Sequence, residues 1–366
     1  MKNFYWKTTV ITNTNRLFKI MGVVVVLIIV VSLIIKSINS TKISIEKQII
    51  NTPINREISD DDVGLKGLMI TNNSVVDTTG RKVVLIGVTT DEFRFHPMKP
   101  DIELLKKHLL EVKSWGVNLV VLYLQQPLKV DRRVDEIVEL ANWAAENKMY
   151  TLIFPVVHED DYIPPESLGL NKSEVTYTAL GKNTETILNT LSEKLKNNKG
   201  VIYGMGAEHH NVDQNELYKR QLEMVNTVRN NSPEAVVVIN GMEYGHFLDK
   251  YLVNPPLQPN ILYDLHQYVA SSAKDIDITK CKMPTEYLGR LPLILGEFGG
   301  AYFDEFGSYK DLECISSFIF SVKRIGIGFV VHTIDHTSRM GLFDINGQIT
   351  SKGKLLQSAL SDINSN

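Results

Sequence analysis

The chain has 366 residues, of which 43% are hydrophobic and 22% are charged, and this balance is ordinary for a globular protein. Its length accommodates one large domain or two small ones. The formal net charge is −3 and no cluster of lysine and arginine runs through the middle of the sequence, so a nucleic-acid partner is not expected.

The N-terminal part of the chain carries one long apolar run, at residues 20–35, which Leu17 and Phe18 extend upstream. Its length falls between the core of a signal peptide, about 7 to 15 residues, and a membrane-spanning helix, about 17 to 25 residues. Positive residues precede the run and no clear cleavage site follows it. We therefore expect residues 1–16 to stay in the cytoplasm and residues 17–36 to form an uncleaved, single-pass signal-anchor, with a cleaved signal peptide as the alternative. In both cases the bulk of the chain, anchored or secreted, lies outside the cytoplasm.

A polar segment, residues 37–66, follows this run and shows no sustained hydrophobic period, which is typical of a stalk or linker. After it, short apolar runs rich in Val, Ile and Leu alternate with helical patterns. The predicted strands are 83–87, 117–124, 150–157, 201–205, 235–240, 261–266, 293–296 and 328–331. The predicted helices include 102–115, 131–147, 184–198, 212–230 and 308–324.

Eight strand-helix units over about 300 residues predict an α/β fold, a (β/α)8 TIM barrel that spans residues 67–366, since this fold takes about 250 residues plus insertions. An open doubly wound sheet is the alternative. That fold usually carries a glycine-rich phosphate loop after its first strand, but the segment 85–92 contains no G-x-G-x-x-G pattern.

Two of the predicted strands end in a glutamate. Glu297 lies in the segment 291–300 (LPLILGEFGG), and Glu208 lies in the segment 201–211 (VIYGMGAEHHN). Functional residues of a parallel barrel lie at the C-terminal ends of its strands, and the nearby glycines allow other groups to approach closely. A structural ion pair is the alternative for each glutamate. Two carboxylates in this position are what glycoside hydrolysis requires, one as proton donor and one as nucleophile or base.

From about residue 67 to the C-terminus the chain resembles glycoside hydrolase family 5, the cellulase and mannanase family. The resemblance rests on motifs in the correct order: the lead-in 73–88 with its D-x-x-G turn, WGVNLV at 115–120, the glutamate segment 201–211, DLHQY at 264–268, PLILGEFG at 292–299, and a closing turn and helix from residue 341. The resemblance implies a retaining hydrolase with Glu208 as acid/base and Glu297 as nucleophile. It also implies a β-linked polysaccharide substrate, such as a glucan or a mannan, and no cofactor.

Three positions depart from the family pattern. Ala207 stands where the family normally has an Asn before the acid/base Glu, Val121 stands where an Arg is usual, and His332 stands where the eighth strand usually ends in Trp. The Asn normally holds the sugar 2-hydroxyl, a contact that strengthens in the transition state. A surface glycan-binding protein that is catalytically impaired is therefore the second hypothesis.

Other polar residues near the predicted strand ends are candidates for binding substrate. His266 and Tyr268 are two residues apart, so on a strand they share one face, and we expect them to orient Glu297. The predicted substrate-binding residues are His158, His209, His210, Asn211, His266, Tyr268 and His332. A metallohydrolase is a less favoured alternative because the chain has no H-E-x-x-H pattern, so we expect neither metal nor cofactor, and we expect a monomer.

Cys281 and Cys314 are the only cysteines of the chain. In an oxidising compartment they could pair, but two unrelated thiols are equally compatible with the sequence, and neither has metal-ligand spacing. The sequence therefore leaves their pairing open.

Overall fold

The computed structural model describes residues 64–95, 100–124, 131–155, 181–210, 213–301, 308–336 and 340–361. The expected cytoplasmic segment 1–16, the expected signal-anchor 17–36 and most of the expected linker lie outside these ranges. Within them, no helix combines the length and the apolar character needed to cross a membrane.

An antiparallel hairpin leads into the domain. Strand β1 (Leu68–Thr71) pairs with strand β2 (Ser74–Asp77). Asp77 stabilises the turn that follows, because its Oδ1 accepts hydrogen bonds from the backbone N–H groups of Thr79 (2.8 Å) and Arg81 (3.1 Å). This is the D-x-x-G turn that the sequence indicates.

Eight further strands form the barrel: β3 (Ile86–Thr90), β4 (Leu119–Leu124), β5 (Tyr150–Pro155), β6 (Val201–Gly204), β7 (Val237–Asn240), β8 (Ile261–Ala270), β9 (Leu293–Ala301) and β10 (Gly328–Val331). They are parallel and close in the order β10-β3-β4-β5-β6-β7-β8-β9. The described helices are α1 (Glu92–Phe95), α2 (Ile102–Trp115), α3 (Asp131–Glu146), α4 (Gly181–Lys194), α5 (Gln214–Asn231), α6 (Met242–Gly245), α7 (Asp249–Val253), α8 (Tyr309–Ile325) and α9 (Ser351–Ser361). The predicted eight-stranded parallel barrel is confirmed, and the doubly wound alternative is excluded.

The strands separate two layers of the core because successive side chains of a strand point to opposite faces. In β4, Leu119, Val121 and Tyr123 belong to the layer inside the barrel, whereas Val120 and Leu122 belong to the layer between strands and helices. All five side chains are buried. Val121, which stands where the family usually has an Arg, is thus an apolar residue of the inner layer.

The helices begin and end close to the predicted residues. Helix α2 begins after Asp101, whose carboxylate accepts a hydrogen bond from the N–H of Leu104 (3.0 Å), and it ends at Gly116 in the left-handed conformation (φ 113°) that glycine adopts at little cost. Helix α8 likewise begins after Ser308, which caps it, and ends at Gly326 (φ 73°). Local capping residues therefore set these boundaries.

Three barrel strands differ from their predicted bounds by three residues or more. The first is predicted at 83–87 and starts later, because Val83 donates its N–H to the carbonyl of Val75 (2.9 Å) and so pairs with the hairpin. Strands β8 and β9 continue beyond their predicted ends at His266 and Gly296, since their C-terminal halves pair with each other. The pairing register of β8 and β9 shifts between Leu265 and His266.

Cys281 and Cys314 form a disulfide bond, which answers the question that the sequence leaves open. Cys314 lies in α8, and Cys281 follows a 3-10 helix (Ile278–Lys280) in the connection between β8 and β9. The bond therefore ties this connection to the helix that follows β9.

Candidate active site

Predicted functional residues from three strands meet at the C-terminal mouth of the barrel. Glu208 follows β6, and Glu297 lies in β9. His266 and Tyr268 lie in the C-terminal half of β8. All four side chains are buried. The barrel thus brings residues that are distant in sequence into one enclosed group.

A left-handed turn after β6 positions Glu208. Gly206 has φ 82° and Glu208 has φ 58°, a value that is uncommon for residues other than glycine and is typically found at functional sites. The N–H of Glu208 donates to Oδ1 of Asn240 at 2.8 Å. A Cβ atom at Gly206 would lie 2.4 Å from Nε2 of His209, so a side chain has no room there. Glycine and the Asn240 side chain together hold the turn that presents Glu208.

Two tyrosines hold the carboxylate of Glu297. The hydroxyl of Tyr268 donates to Oε1 at 2.6 Å, and the hydroxyl of Tyr123 donates to Oε2 at 3.3 Å. Burial and the charge of Glu297 raise the pKa of both phenols well above their ordinary value, so both hydroxyls stay protonated and act as donors. Glu297 is therefore an oriented carboxylate, as a nucleophile must be.

His266 lies between carboxylates. Its Nδ1 is 3.3 Å from Oε1 of Glu208 and 4.0 Å from Oε2 of Glu297, and its Nε2 is 3.2 Å from Oδ2 of Asp264. Burial alone would lower the pKa of His266, but the surrounding carboxylates, chiefly Asp264, raise it well above its ordinary value. The ring is therefore a cation that offsets part of the negative charge at the mouth.

Asp264 and Asn240 support this arrangement from below. Nδ2 of Asn240 donates to Oδ2 of Asp264 at 2.9 Å, while its Oδ1 accepts from the backbone N–H of Glu208. The side-chain amide of Asn240 thus connects these two acidic residues. The position of Asp264 also requires a glycine before Glu297, because a Cβ atom at Gly296 would lie 1.8 Å from Oδ1 of Asp264. The close packing of β8 against β9 thus depends on a position without a side chain.

The two glutamates lie close together. One carboxylate oxygen of Glu208, one of Glu297 and a ring nitrogen of His266 all lie within 4.8 Å of one another. Carboxyl groups are about 5 to 5.5 Å apart in retaining glycosidases and about 6.5 to 9.5 Å apart in inverting ones. Two carboxylates this close are compatible with direct attack by a carboxylate, the reaction of retaining enzymes.

His332 lies directly after β10, where Thr89 and Asp91 orient its ring. Nδ1 is 2.8 Å from Oγ1 of Thr89 and 3.9 Å from Oε2 of Glu297, and Nε2 is 3.5 Å from Oδ2 of Asp91. The buried Lys352 of α9 donates to its backbone carbonyl, and burial lowers the pKa of that lysine to about 8. The His332 ring thus lies beside the candidate nucleophile, held there by its neighbours.

The two histidines after Glu208 have different surroundings. His209 is buried, with Nε2 3.5 Å from the carbonyl of Met205, and burial lowers its pKa to about 4, so its ring is neutral at pH 7. His210 has Nδ1 2.9 Å from the carbonyl of Glu208, and its ring stacks on Tyr244 with the centroids 4.0 Å apart. Tyr244 is partly exposed. Tyr244 therefore presents an aromatic ring, stacked on the buried His210, next to the acid/base candidate.

His158 and Asn211, two predicted substrate-binding residues, lie outside the described residues, and their contacts with a sugar stay predictions. Three contributors to the site are not singled out by the sequence analysis. Asn240 is the last residue of a predicted strand, and Asp91 directly follows β3. A polar residue at the C-terminal end of a barrel strand is the signal that identifies both. Tyr123 lies within an apolar strand and carries no such signal.

A model of the cellulase family, glycosyl hydrolase family 5, matches residues 76–335, more than half of the chain. The chain belongs to this family. The resemblance inferred from the motifs is confirmed.

Endoglucanase A from Butyrivibrio fibrisolvens is 22% identical over 261 residues, which are 67% of this chain and 55% of that protein. The chain thus spans about half the length of this relative. A solved endoglucanase catalytic domain from Thermobifida fusca, in complex with cellotetraose, has a TM-score of 0.62 and 16% identity over 81% of this chain and 97% of that one. A β-glucanase from Saccharophagus degradans, also in complex with cellotetraose, has a TM-score of 0.62 and 14% identity over 86% of this chain and 98% of that one. At these identities the likeness shows a shared fold.

Proposed function

We propose that the protein is a retaining glycoside hydrolase that cleaves internal bonds of a β-linked polysaccharide, a glucan of the kind that cellulases cleave. The observation that carries the proposal is the buried pair Glu208 and Glu297, with carboxylate oxygens within 4.8 Å of each other. The relatives are named as endoglucanases and a β-glucanase, which supports a glucan over a mannan.

The proposed reaction has two steps. In the first, Glu208 gives its proton to the glycosidic oxygen while Glu297 attacks the anomeric carbon, and the bond to the leaving sugar breaks. In the second, the ionised Glu208 takes a proton from water, whose oxygen attacks the same carbon and releases Glu297. Tyr268 and Tyr123 hold the attacking carboxylate in the first step and stabilise its returning charge in the second.

The missing Asn before Glu208 calls for another contact to the sugar. Ala207 is buried in the inner layer of the barrel and offers no side-chain donor. We propose that His332, whose ring lies 3.9 Å from Glu297, contacts the sugar that Glu297 attacks. Under this proposal His332→Ala lowers kcat and kcat/KM together, because the contact acts in the transition state. An unchanged kcat would assign His332 to substrate binding alone.

The experiment that tests the function is reducing-sugar release from soluble β-glucans and β-mannans by the wild-type chain and by Glu297→Gln. Wild-type hydrolysis with first release of the β-anomer, observed by NMR, is the expected result for a retaining enzyme on a β-linked glycan. First release of the α-anomer would refute the retaining mechanism. Glycan binding with no more turnover than Glu297→Gln would establish the catalytically impaired glycan-binding alternative.

We further propose that the domain acts as a monomer outside the cytoplasm, held at the membrane by residues 17–36. The support for the membrane anchor and its orientation is the apolar run in the sequence and the positive residues before it. An inserted helix is held by apolar burial, so the full-length protein should stay in the membrane fraction at high salt and at alkaline pH. A soluble mature chain that begins near residue 41 would establish the cleaved signal instead.

A further inference from the structure

Three side chains of the types that bind metal ions converge at the mouth of the barrel. Nδ1 of His266 lies 3.3 Å from Oε1 of Glu208 and 4.0 Å from Oε2 of Glu297, and all three residues are buried. We call these three residues the Glu-His-Glu centre. Zn²⁺ bonds of about 2.0 to 2.2 Å in a tetrahedral site separate ligand atoms by about 3.3 to 3.6 Å. Small side-chain movements would therefore bring the three atoms around one ion.

We propose that the Glu-His-Glu centre binds one Zn²⁺ ion and that the bound ion blocks hydrolysis. The ion acts as an inhibitor and not as a cofactor, because it takes as ligands both carboxylates that the reaction needs. Inhibition rests on the proposed function. Binding of the ion does not, since it depends only on the three side chains and their surroundings.

The residues around the centre orient its ligands as metal sites require. Nε2 of His266 donates to Oδ2 of Asp264 at 3.2 Å, which leaves Nδ1 to face the two glutamates. Histidines that bind metals usually donate their other ring N–H to a carboxylate in this way. Asn240 holds Asp264 and Tyr268 holds Glu297, at 2.9 and 2.6 Å respectively. These neighbouring residues therefore hold the three ligands in place from outside the centre.

The ligand chemistry favours a borderline divalent cation, and the charge at the centre allows one to bind. The ion would enter a buried space beside Glu208, Glu297 and Asp264, and it would replace the proton on Nδ1 of His266, which leaves to solvent. The proton that Glu208 gives up in the proposed reaction also leaves to solvent, so the net charge at the centre stays the same. Zn²⁺ accepts imidazole and carboxylate ligands in a four-coordinate site, whereas Ca²⁺ needs six to eight oxygens and Mg²⁺ near-octahedral oxygen ligands. The fourth position of Zn²⁺ would hold water.

Calorimetric titration of the full-length protein with Zn²⁺ tests binding. We expect one ion per chain, binding weakened about 10- to 100-fold by Asp264→Asn, and a still larger loss with His266→Asn. His108→Asn is the matched control, because His108 is a buried histidine in α2 that lies outside the centre. Wild-type affinity in His266→Asn, or lost binding in His108→Asn, would overturn the proposal.

Glu297→Gln provides a second variant in case His266→Asn does not fold, and circular dichroism checks the fold of each protein. It should also lose Zn²⁺ affinity, because a neutral amide is a poorer ligand than a carboxylate, and retained affinity would contradict the assignment. For the wild-type enzyme we expect Zn²⁺ to raise the apparent KM with kcat unchanged, and EDTA to reverse this. Inhibition that lowers kcat without changing KM would place the ion elsewhere. Zn²⁺ binding by a chain that hydrolyses no glycan would refute the proposed function and support the metal site.

Discussion

Replacing Tyr268 by Phe should slow the second step of the proposed reaction and not the first. The Tyr268 hydroxyl donates to Oε1 of Glu297 at 2.6 Å, a short hydrogen bond to a charged acceptor, and such bonds contribute about 1.5 to 3 kcal/mol. In the first step the carboxylate loses its charge as it attacks, so the donor stabilises the ground state more than the transition state. In the second step charge returns to Glu297 as it leaves, and the donor stabilises that transition state.

The size of the effect on the second step depends on how much negative charge has developed on Glu297 in the transition state. If about half of it is present in the transition state, the lost stabilisation is about 0.8 to 1.5 kcal/mol, which slows release of Glu297 by about 4- to 12-fold. Tyr123 donates to the same carboxylate at the longer distance of 3.3 Å, so Tyr123→Phe should have the smaller effect. The hydroxyl of Tyr150 donates to the carbonyl of Lys66, away from the site, and Tyr150→Phe is the matched control.

The assay is a pre-steady-state burst with an activated aryl β-cellobioside, whose departure makes the second step rate-limiting. Tyr268→Phe should keep the burst, lower the steady-state rate and accumulate the covalent glycosyl-enzyme, which mass spectrometry of the quenched protein detects. A steady-state rate equal to that of Tyr150→Phe would refute this role for Tyr268. A larger effect for Tyr123→Phe than for Tyr268→Phe would refute the ranking by distance.

Three further predictions concern stability and packing. Mutating Cys281 and Cys314 to Ala should lower the free energy of unfolding by about 3 to 4 kcal/mol in denaturant titrations, since their bond closes a loop with a sequence separation of 33, and an unchanged midpoint would contradict this. Burial lowers the pKa of His108 to about 4, so between pH 6.5 and 4 the unfolded state binds more protons than the folded state. As the pH falls through this window the free energy of unfolding should fall by about 2 kcal/mol, allowing for partial solvent screening. The fall should be smaller in His108→Gln. Gly296→Ala should abolish turnover and lower the melting temperature, because its Cβ atom would lie 1.8 Å from Oδ1 of Asp264; wild-type activity in this variant would show that β8 and β9 can separate there.

The sequence by itself determines the barrel and its principal acids, because both depend on local patterns. Apolar runs of strand length alternate with capped amphipathic helices, and the bounds of α2 and β10 agree with their predicted residues. Glu208 and Glu297 can be identified as candidate site residues because each follows such a run beside glycines, and the C-terminal ends of parallel strands face the same side.

Only the tertiary structure decides which groups touch these acids. The register shift between Leu265 and His266 sets the His266 ring opposite Glu297, and no periodicity in one strand records the register of its neighbour. Tyr123 shows the same limit, since it is one more apolar position of β4 until the barrel closes and its hydroxyl reaches Glu297.

The pairing of Cys281 with Cys314 is likewise a tertiary fact, because it depends on how the β8–β9 connection packs against α8. The role of Asn240 is also decided by tertiary structure, since its single side-chain amide reaches acidic residues that come from two other strands. Local sequence determines where each strand ends and which residue stands there. The distances between those ends, and therefore the chemistry of the mouth, depend on strand order, register and long-range packing.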